Sequence, residues 1–165
     1  MIVNIVILAL VTMQRVGELW LSSHNTKRLL AKGGQEHSPG HYPLIVLIHV
    51  AWLGLLWLSA LTRPIDMFWL AMFVIIELAR IWVVGALGAR WTTRIITVQN
   101  APLVSRGPYR WVNHPNYWVV VAEIAVLPLV FGLWQMALLF TLLNAAVISI
   151  RIREENRALG RTQRG

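Results

Sequence analysis

The sequence predicts an all-α, polytopic membrane protein of about five transmembrane helices. The last two form a helical hairpin, with the N-terminus outside and the C-terminus in the cytosol. Three observations lead there. The chain of 165 residues is 57% hydrophobic and only 13% charged, with a mean hydropathy of +0.60. A soluble domain is about 45–50% apolar and about 25% charged. The apolar residues also come in long runs, with no extended alternation of the kind a membrane barrel needs. Lastly, the basic residues gather in alternate polar segments. The chain has no cysteine, which excludes a disulfide frame and a Cys-ligated zinc. A net charge of +8 would suggest nucleic acid in a soluble protein. In this chain its placement reports topology, and no nucleic-acid partner is expected.

A hydrocarbon core of about 30 Å takes about 20 mostly apolar residues as helix. Met1–Leu21 meets this, less purely near its end, where Gln14, Arg15 and Glu18 stand. It lacks a basic n-region and a directly following small-x-small site, so it reads as a retained helix rather than a signal peptide. The polar segment Ser22–Tyr42 has breakers at Gly33-Gly34 and Pro39-Gly40 and predicts a short interfacial helix around Thr26–Lys32. Leu44–Leu61 and Ile65–Leu87 are the second and third spans. Pro115–Ile150 would reach about 54 Å as one helix, too long for one crossing. Pro128 and Gly132 near its middle would kink or break it, giving one bent crossing or a hairpin.

Charge placement decides for the hairpin. With five crossings, the inside segments hold Lys27, Arg28 and Lys32, then Arg90, Arg94, Arg106 and Arg110, then the arginines from Arg151 onward. The outside segments hold only Arg63, while Arg15 and Arg80 lie within spans. A single crossing would put the C-terminal arginines outside, against the positive-inside rule. The hairpin also brings its two ends, far apart in sequence, to one membrane–water boundary. His114 and Tyr117 open its first arm; Arg151, Glu154 and Glu155 close its second. The tail continues as helix to about Leu159 and ends at Gly160.

The polar stretch Leu103–Tyr117, LVSRGPYRWVNHPNY, lies between two apolar regions. Pro115 suits a first helical turn, and Asn113 or His114 before it can cap, leaving first-turn N–H groups for a polar ligand. The plainer reading is a helix cap with Tyr117 and Trp118 as belt aromatics. Arg151 and Glu155 share a helix face as an i, i+4 pair. Alone they would be a surface ion pair; the hairpin carries them to His114. Glu77, Arg80 and Glu123 lie inside spans, where ionisable groups are functional candidates. Glu77 and Arg80 are expected to neutralise each other, and Asn144 is a candidate partner for Glu123. His49 is expected to be a hydrogen-bonded packing residue. His24, His37 and His41 share a loop, but their spacing matches no compact metal motif, so no metal site is assigned. Trp20, Trp57, Trp91 and Trp111 at run ends fit interfacial anchoring.

Leu103-Val104, Gly107, Tyr109, His114-Pro115 and Tyr117, then a hydrophobic hairpin, then Arg151 with Glu154-Glu155, resemble the isoprenylcysteine carboxyl methyltransferase family. The resemblance covers Trp91 to Leu159. The N-terminal half looks like the short bacterial branch of that family, in Gln14-Arg15, Glu18-Leu19, Glu36, His41-Tyr42 and His49. Some members of that branch are linked with O-methylation of alkylpyrone or alkylresorcinol lipids. Asn113 stands where the family commonly has arginine, and Ala101 where eukaryotic members carry histidine.

The resemblance implies one integral membrane methyltransferase domain over residues 1–165, in the bacterial inner membrane, with a cytosolic active site mainly in 91–159. The methyl donor would be S-adenosylmethionine (SAM). By resemblance Ala101, Pro102, Leu103, Val104, Tyr109, His114, Pro115, Asn116 and Tyr117 line the SAM pocket. Glu155 takes the cofactor's ammonium, and Arg151 holds the acceptor's anionic oxygen as the catalytic residue. The acceptor would be a carboxyl or hydroxyl oxygen of a lipophilic molecule, prenylcysteine-like or a polyketide lipid, met among membrane lipids. Two other readings stand beside this one. A membrane NADPH-dependent reductase of the sterol or steroid type also carries a His-Pro-Asn-Tyr-like motif, and a non-catalytic membrane subunit would use the polar groups for topology alone.

Overall fold

The computed structural model describes residues 1–37, 40, 42–99, 101–102 and 104–158. Five long helices dominate: α1 (Ile2–Ala31), α2 (Tyr42–Ser59), α3 (Met67–Leu87), α4 (Pro115–Val130) and α5 (Trp134–Ala158). α1, α2, α3 and α5 are long and apolar enough to cross a membrane; α4, with 16 residues, is shorter. At 1.5 Å per residue α4 reaches about 24 Å.

α1 is continuous over 30 residues, so Thr26–Lys32 is its last two turns and not a separate interfacial helix. Its polar end is held by tertiary bonds. Asn25 Nδ2 donates to the Trp91 carbonyl at 2.8 Å, and Ser22 Oγ accepts from the Thr93 amide at 2.9 Å. The helix stops where Gly33 takes a φ of +78° and the Gly34 amide bonds back to the Leu29 carbonyl at 2.9 Å. The chain is also not purely helical. Gln35–His37 (β1) pairs antiparallel with Ile95–Thr97 (β2). Strands this short leave no readable alternation, which is why hydropathy missed them.

α3 is capped by Asp66, whose carboxylate accepts from the Phe68 and Trp69 amides. At the same end of the bundle, Asn4 Nδ2 donates to the Ala60 and Arg63 carbonyls, and the Asp66 amide donates to the Val130 carbonyl. The hairpin turn lies here too. α4 ends at Val130, Gly132 has a φ of +68°, and α5 begins at Trp134. Pro128 sits inside the last turn of α4, so the glycine and not the proline marks the break. α4 packs against both α3 and α5. The core includes Leu8, Trp52, Leu56, Phe73, Leu127 and Phe131.

Inside this apolar bundle lies a charged cluster. Arg80 of α3 donates from Nη2 to Glu18 of α1 at 2.7 Å and from Nη1 to Glu123 of α4 at 2.8 Å. Its Nε also bonds Glu18. Arg15 bridges the same two carboxylates, at 2.9 Å to Glu18 and 2.8 Å to Glu123. Glu77 bonds Gln14 Nε2 at 2.6 Å, so the expected Glu77–Arg80 pair is replaced by links across helices. The partners of Glu123 are two arginines, not Asn144. Breaking one member of a buried pair leaves its partner charge uncompensated. Arg80→Ala is expected to destabilise the protein by about 3–5 kcal/mol. Denaturant unfolding in detergent micelles measures this, and an unchanged midpoint would contradict the account.

Candidate functional site

The residues expected at the site meet at the opposite end of the bundle, where α1 and α5 end and α4 begins. His114, just before Pro115, takes φ 57° and ψ 46°, and is the single non-glycine residue with positive φ among those described. This left-handed conformation is uncommon outside glycine and marks functional sites more often than chance. The imidazole makes no cap bond to the helix. Instead Nε2 lies 3.1 Å from Asn156 Oδ1 and Nδ1 3.4 Å from Glu155 Oε1. The first turn is not wholly open to a ligand either, since the Tyr117 amide donates to the His114 carbonyl at 3.0 Å.

Tyr117 is buried and is no belt aromatic; Trp118 beside it is exposed. The Tyr117 hydroxyl donates to Glu155 Oε2 and accepts from Arg151 Nε at 2.8 Å. Arg151 and Glu155 are thus joined through this hydroxyl and do not pair directly. The Arg151 guanidinium also lies over the Tyr117 ring, 5.5 Å from its centre, and the His114 ring stacks on it from 5.6 Å.

A cavity of about 230 Å³ opens beside this cluster. Ala101, Pro102, Val104 and Tyr109 line one part, and His114, Asn116, Tyr117, Arg151 and Glu155 another. Pro115 is buried at the start of α4 and lies outside the lining. Leu103 and His41 fall outside the described residues. Trp91 was expected as an interfacial anchor. It is buried, lines the cavity and donates from Nε1 to Asn116 Oδ1 at 3.2 Å. The second wall comes from β2 and the residues after it, Ile95 to Val98, for which the sequence carried no signal. β1 holds β2 in place, helped by Arg94, which bonds Glu36 at 3.0 Å and lies over the Tyr42 ring. His37 bonds Thr97 and His24 stacks on Trp20.

The Tyr109 hydroxyl is buried without a hydrogen-bond partner among the described residues. Burial, with the Glu155 carboxylate nearby, raises its phenol above the ordinary value, so it stays neutral and able to donate. An unmet donor beside a half-buried carboxylate suits a ligand carrying both a cationic and a polar end.

A second cavity, of about 260 Å³, lies deeper between α1, α2 and α5. Its lining is mostly apolar, with Val46, Leu53, Val120 and Ile148 among it. The two cavities share Trp91, Thr92, Asn116, Tyr117 and Arg151. Arg15, Glu18, Tyr42 and His49 line the second one, and none was foreseen as a site residue from its local sequence. The sequence signal was available in Arg15 and Glu18, charges inside a span.

The sequence profile described as the isoprenylcysteine carboxyl methyltransferase (ICMT) family matches residues 69–161. The chain belongs to this family. It is also 34% identical over 162 residues to the Bacillus subtilis (strain 168) protein YpbQ, described as uncharacterized, covering 93% of this chain and 94% of that protein. No solved structure matches. Membership makes the protein a membrane methyltransferase, and its apolar helices agree with an integral membrane protein.

The backbone beside the first cavity leaves little room at Gly107. Its φ is +57°, and an added Cβ would stand 3.0 Å from Ala86 Cβ and 3.4 Å from Trp82 Nε1. Gly107→Ala is expected to cost about 1–3 kcal/mol of stability and to displace Tyr109, two residues on. Unfolding in micelles reads the first effect. An alanine variant as stable as the parent would show that the 107–110 turn is not held against α3.

Proposed function

We propose that the protein is a SAM-dependent O-methyltransferase acting on a carboxyl or hydroxyl oxygen of a lipophilic acceptor. The observation that carries this is the junction of two cavities of different character at Tyr117 and Arg151. The more polar one, with Glu155 and Tyr109, suits SAM; the more apolar one suits a lipid. The family match over residues 69–161 favours this reading over a reductase. The whole chain forms one methyltransferase domain, because α1 and α2 line the apolar cavity together with α4 and α5, which also reach the other cavity. The basic residues around the site support a cytosolic face, with the N-terminus outside. The short bacterial branch supports the inner membrane.

SAM, when bound, supplies an electrophilic methyl group on a sulfonium. Glu155 would hold its ammonium by a charge-assisted bond. Tyr109 offers a neutral donor to a polar atom of the cofactor. Arg151 would orient the acceptor's oxyanion and balance its charge. The Tyr117 hydroxyl fixes Arg151 Nε, so the guanidinium does not search rotamers at the moment of transfer. The apolar wall of the second cavity limits water at the reacting oxygen. A carboxylate, or an acidic enol or phenol, is partly ionised near neutral pH, so positioning is the main demand on the protein.

Glu155→Gln is expected to weaken SAM binding at least about tenfold in equilibrium dialysis. Tyr117→Phe is expected to lower kcat/KM by about tenfold or more with SAM still bound. NADPH binding without SAM binding to the purified protein would sink the methyltransferase reading. Incubating the protein with labelled SAM and a membrane lipid extract should place label in an ester or ether product. Label in phospholipid amines would rule out O-methylation.

A further inference from the structure

Outside both cavities, the corner where α3 meets the 107–110 turn carries an aromatic and basic surface. Trp82 of α3 is 52% exposed and Trp111, just after the turn, 69%, with their rings 6.0 Å apart. Gly107–Arg110 is a 3₁₀ turn, and Gly107 faces α3, since a Cβ there would stand 3.0 Å from Ala86 Cβ. Residues three apart on such a turn eclipse, so Arg110 stands on the same side. Arg106, just before the turn, donates from Nε to the Ala86 carbonyl at 2.8 Å. Both arginines are exposed, and neither meets a carboxylate among the described residues. The sequence has no Asp or Glu between Glu77 and Glu123. At the same end of the bundle Arg94 is met by Glu36, and Arg157 by Glu154. The positive-inside bias explains arginines in this segment. It does not explain why two of them stand without a counter-ion beside a pair of exposed tryptophans.

We propose that this corner binds the headgroup of an anionic phospholipid. Trp82 lies five residues short of Leu87, the last residue of α3, about 8 Å below the helix end. That is the depth at which tryptophan rings border the headgroups. The two arginines stand above it, at the helix end, where lipid phosphates lie. Guanidinium forks match phosphate oxygens, and Trp82 Nε1, 3.4 Å from the added Gly107 Cβ, is a further donor. The indole rings would cover the first carbons of the acyl chains. A zwitterionic headgroup would bring a positive charge back against the arginines, and a free phosphate would leave the tryptophans unused. An anionic lipid satisfies both halves of the surface. Tyr109 belongs to the same turn and lines the first cavity. A lipid held at this corner therefore braces one wall residue of that cavity.

The test titrates the full-length protein in a neutral detergent with phosphatidylglycerol, with phosphatidylcholine of the same chains, or with inorganic phosphate. Thermal unfolding is followed, because a ligand that binds the folded state raises the midpoint. Phosphatidylglycerol is expected to raise it by about 2–4 °C at saturation, and the other two to leave it unchanged. Arg110→Gln is expected to remove most of this shift while keeping the lipid-free midpoint, since Arg110 bonds nothing among the described residues. Arg106→Gln is expected to remove it from a lower starting midpoint, having also lost the Ala86 bond. Arg28→Gln takes a charge from the last turn of α1, at the same end of the bundle, and is expected to keep the shift. Four outcomes would each overturn the site: no shift with phosphatidylglycerol, an equal shift with phosphatidylcholine or phosphate, a shift that survives Arg110→Gln, or an equal loss in Arg28→Gln.

Discussion

Arg80 projects from α3 into a space that water does not solvate, and its charge is met there by Glu18 from α1 and Glu123 from α4. Arg15 closes the set from the α1 side. In hydrocarbon each of these charges alone would be very costly. Together they neutralise one another, and the geometry that neutralises them fixes three helices at one depth and one rotation. Apolar side chains cannot do this in lipid, because a leucine is as content against acyl chains as against another helix. The ionic cluster supplies what hydrophobicity cannot: a single register for α1 against α3 and α4.

That register has a consequence at the site. α1 needs to be placed correctly at two depths, once at Arg15 and Glu18 and again at Ser22 and Asn25. The second pair holds the segment after α3, including Trp91 and Thr93. Trp91 then bonds Asn116 at the start of α4. A continuous chain of contacts thus runs from the ionic cluster to the wall shared by both cavities. Arg15, Glu18 and Arg80 also form part of the second cavity's lining. The elements that hold the bundle together and those that shape the second cavity are in part the same residues.

Hydropathy and the positive-inside rule made the helices legible, because span length and loop charge are properties of segments. The hairpin was legible for the same reason. Pairing was not. Glu77 stands near Arg80 in sequence, yet it bonds Gln14, because partners in a bundle are chosen by which faces meet. The cluster of His114, Tyr117, Arg151 and Glu155 could be expected from motifs and the hairpin. That the Tyr117 hydroxyl stands between Arg151 and Glu155 could not, since an i, i+4 spacing suggests a direct pair. The β1–β2 ribbon was invisible because three residues carry no periodicity. Trp91 misled because tryptophan at the end of an apolar run is usually an interfacial anchor.

The buried face of α5 explains how so short a chain builds a precise site. Ala137, Phe140, Asn144, Val147, Ile148 and Arg151 follow one helical stripe, and Glu155 lies one turn beyond it. The lower part of the stripe packs against α4 and α2, where its residues are mostly apolar. Nearer the end of the helix the same stripe carries the groups that line the cavities. Arg151 and Glu155 are therefore oriented by packing two turns below them and not by loop conformation. Methyl transfer asks mainly that two reactants be held in line, so the error that matters is angular drift between the groups that hold them. Placing Arg151 and Glu155, the proposed holders, on one packed helix opposite the first turn of its hairpin partner keeps that drift small. The site is thus specified by the packing that also closes the hairpin.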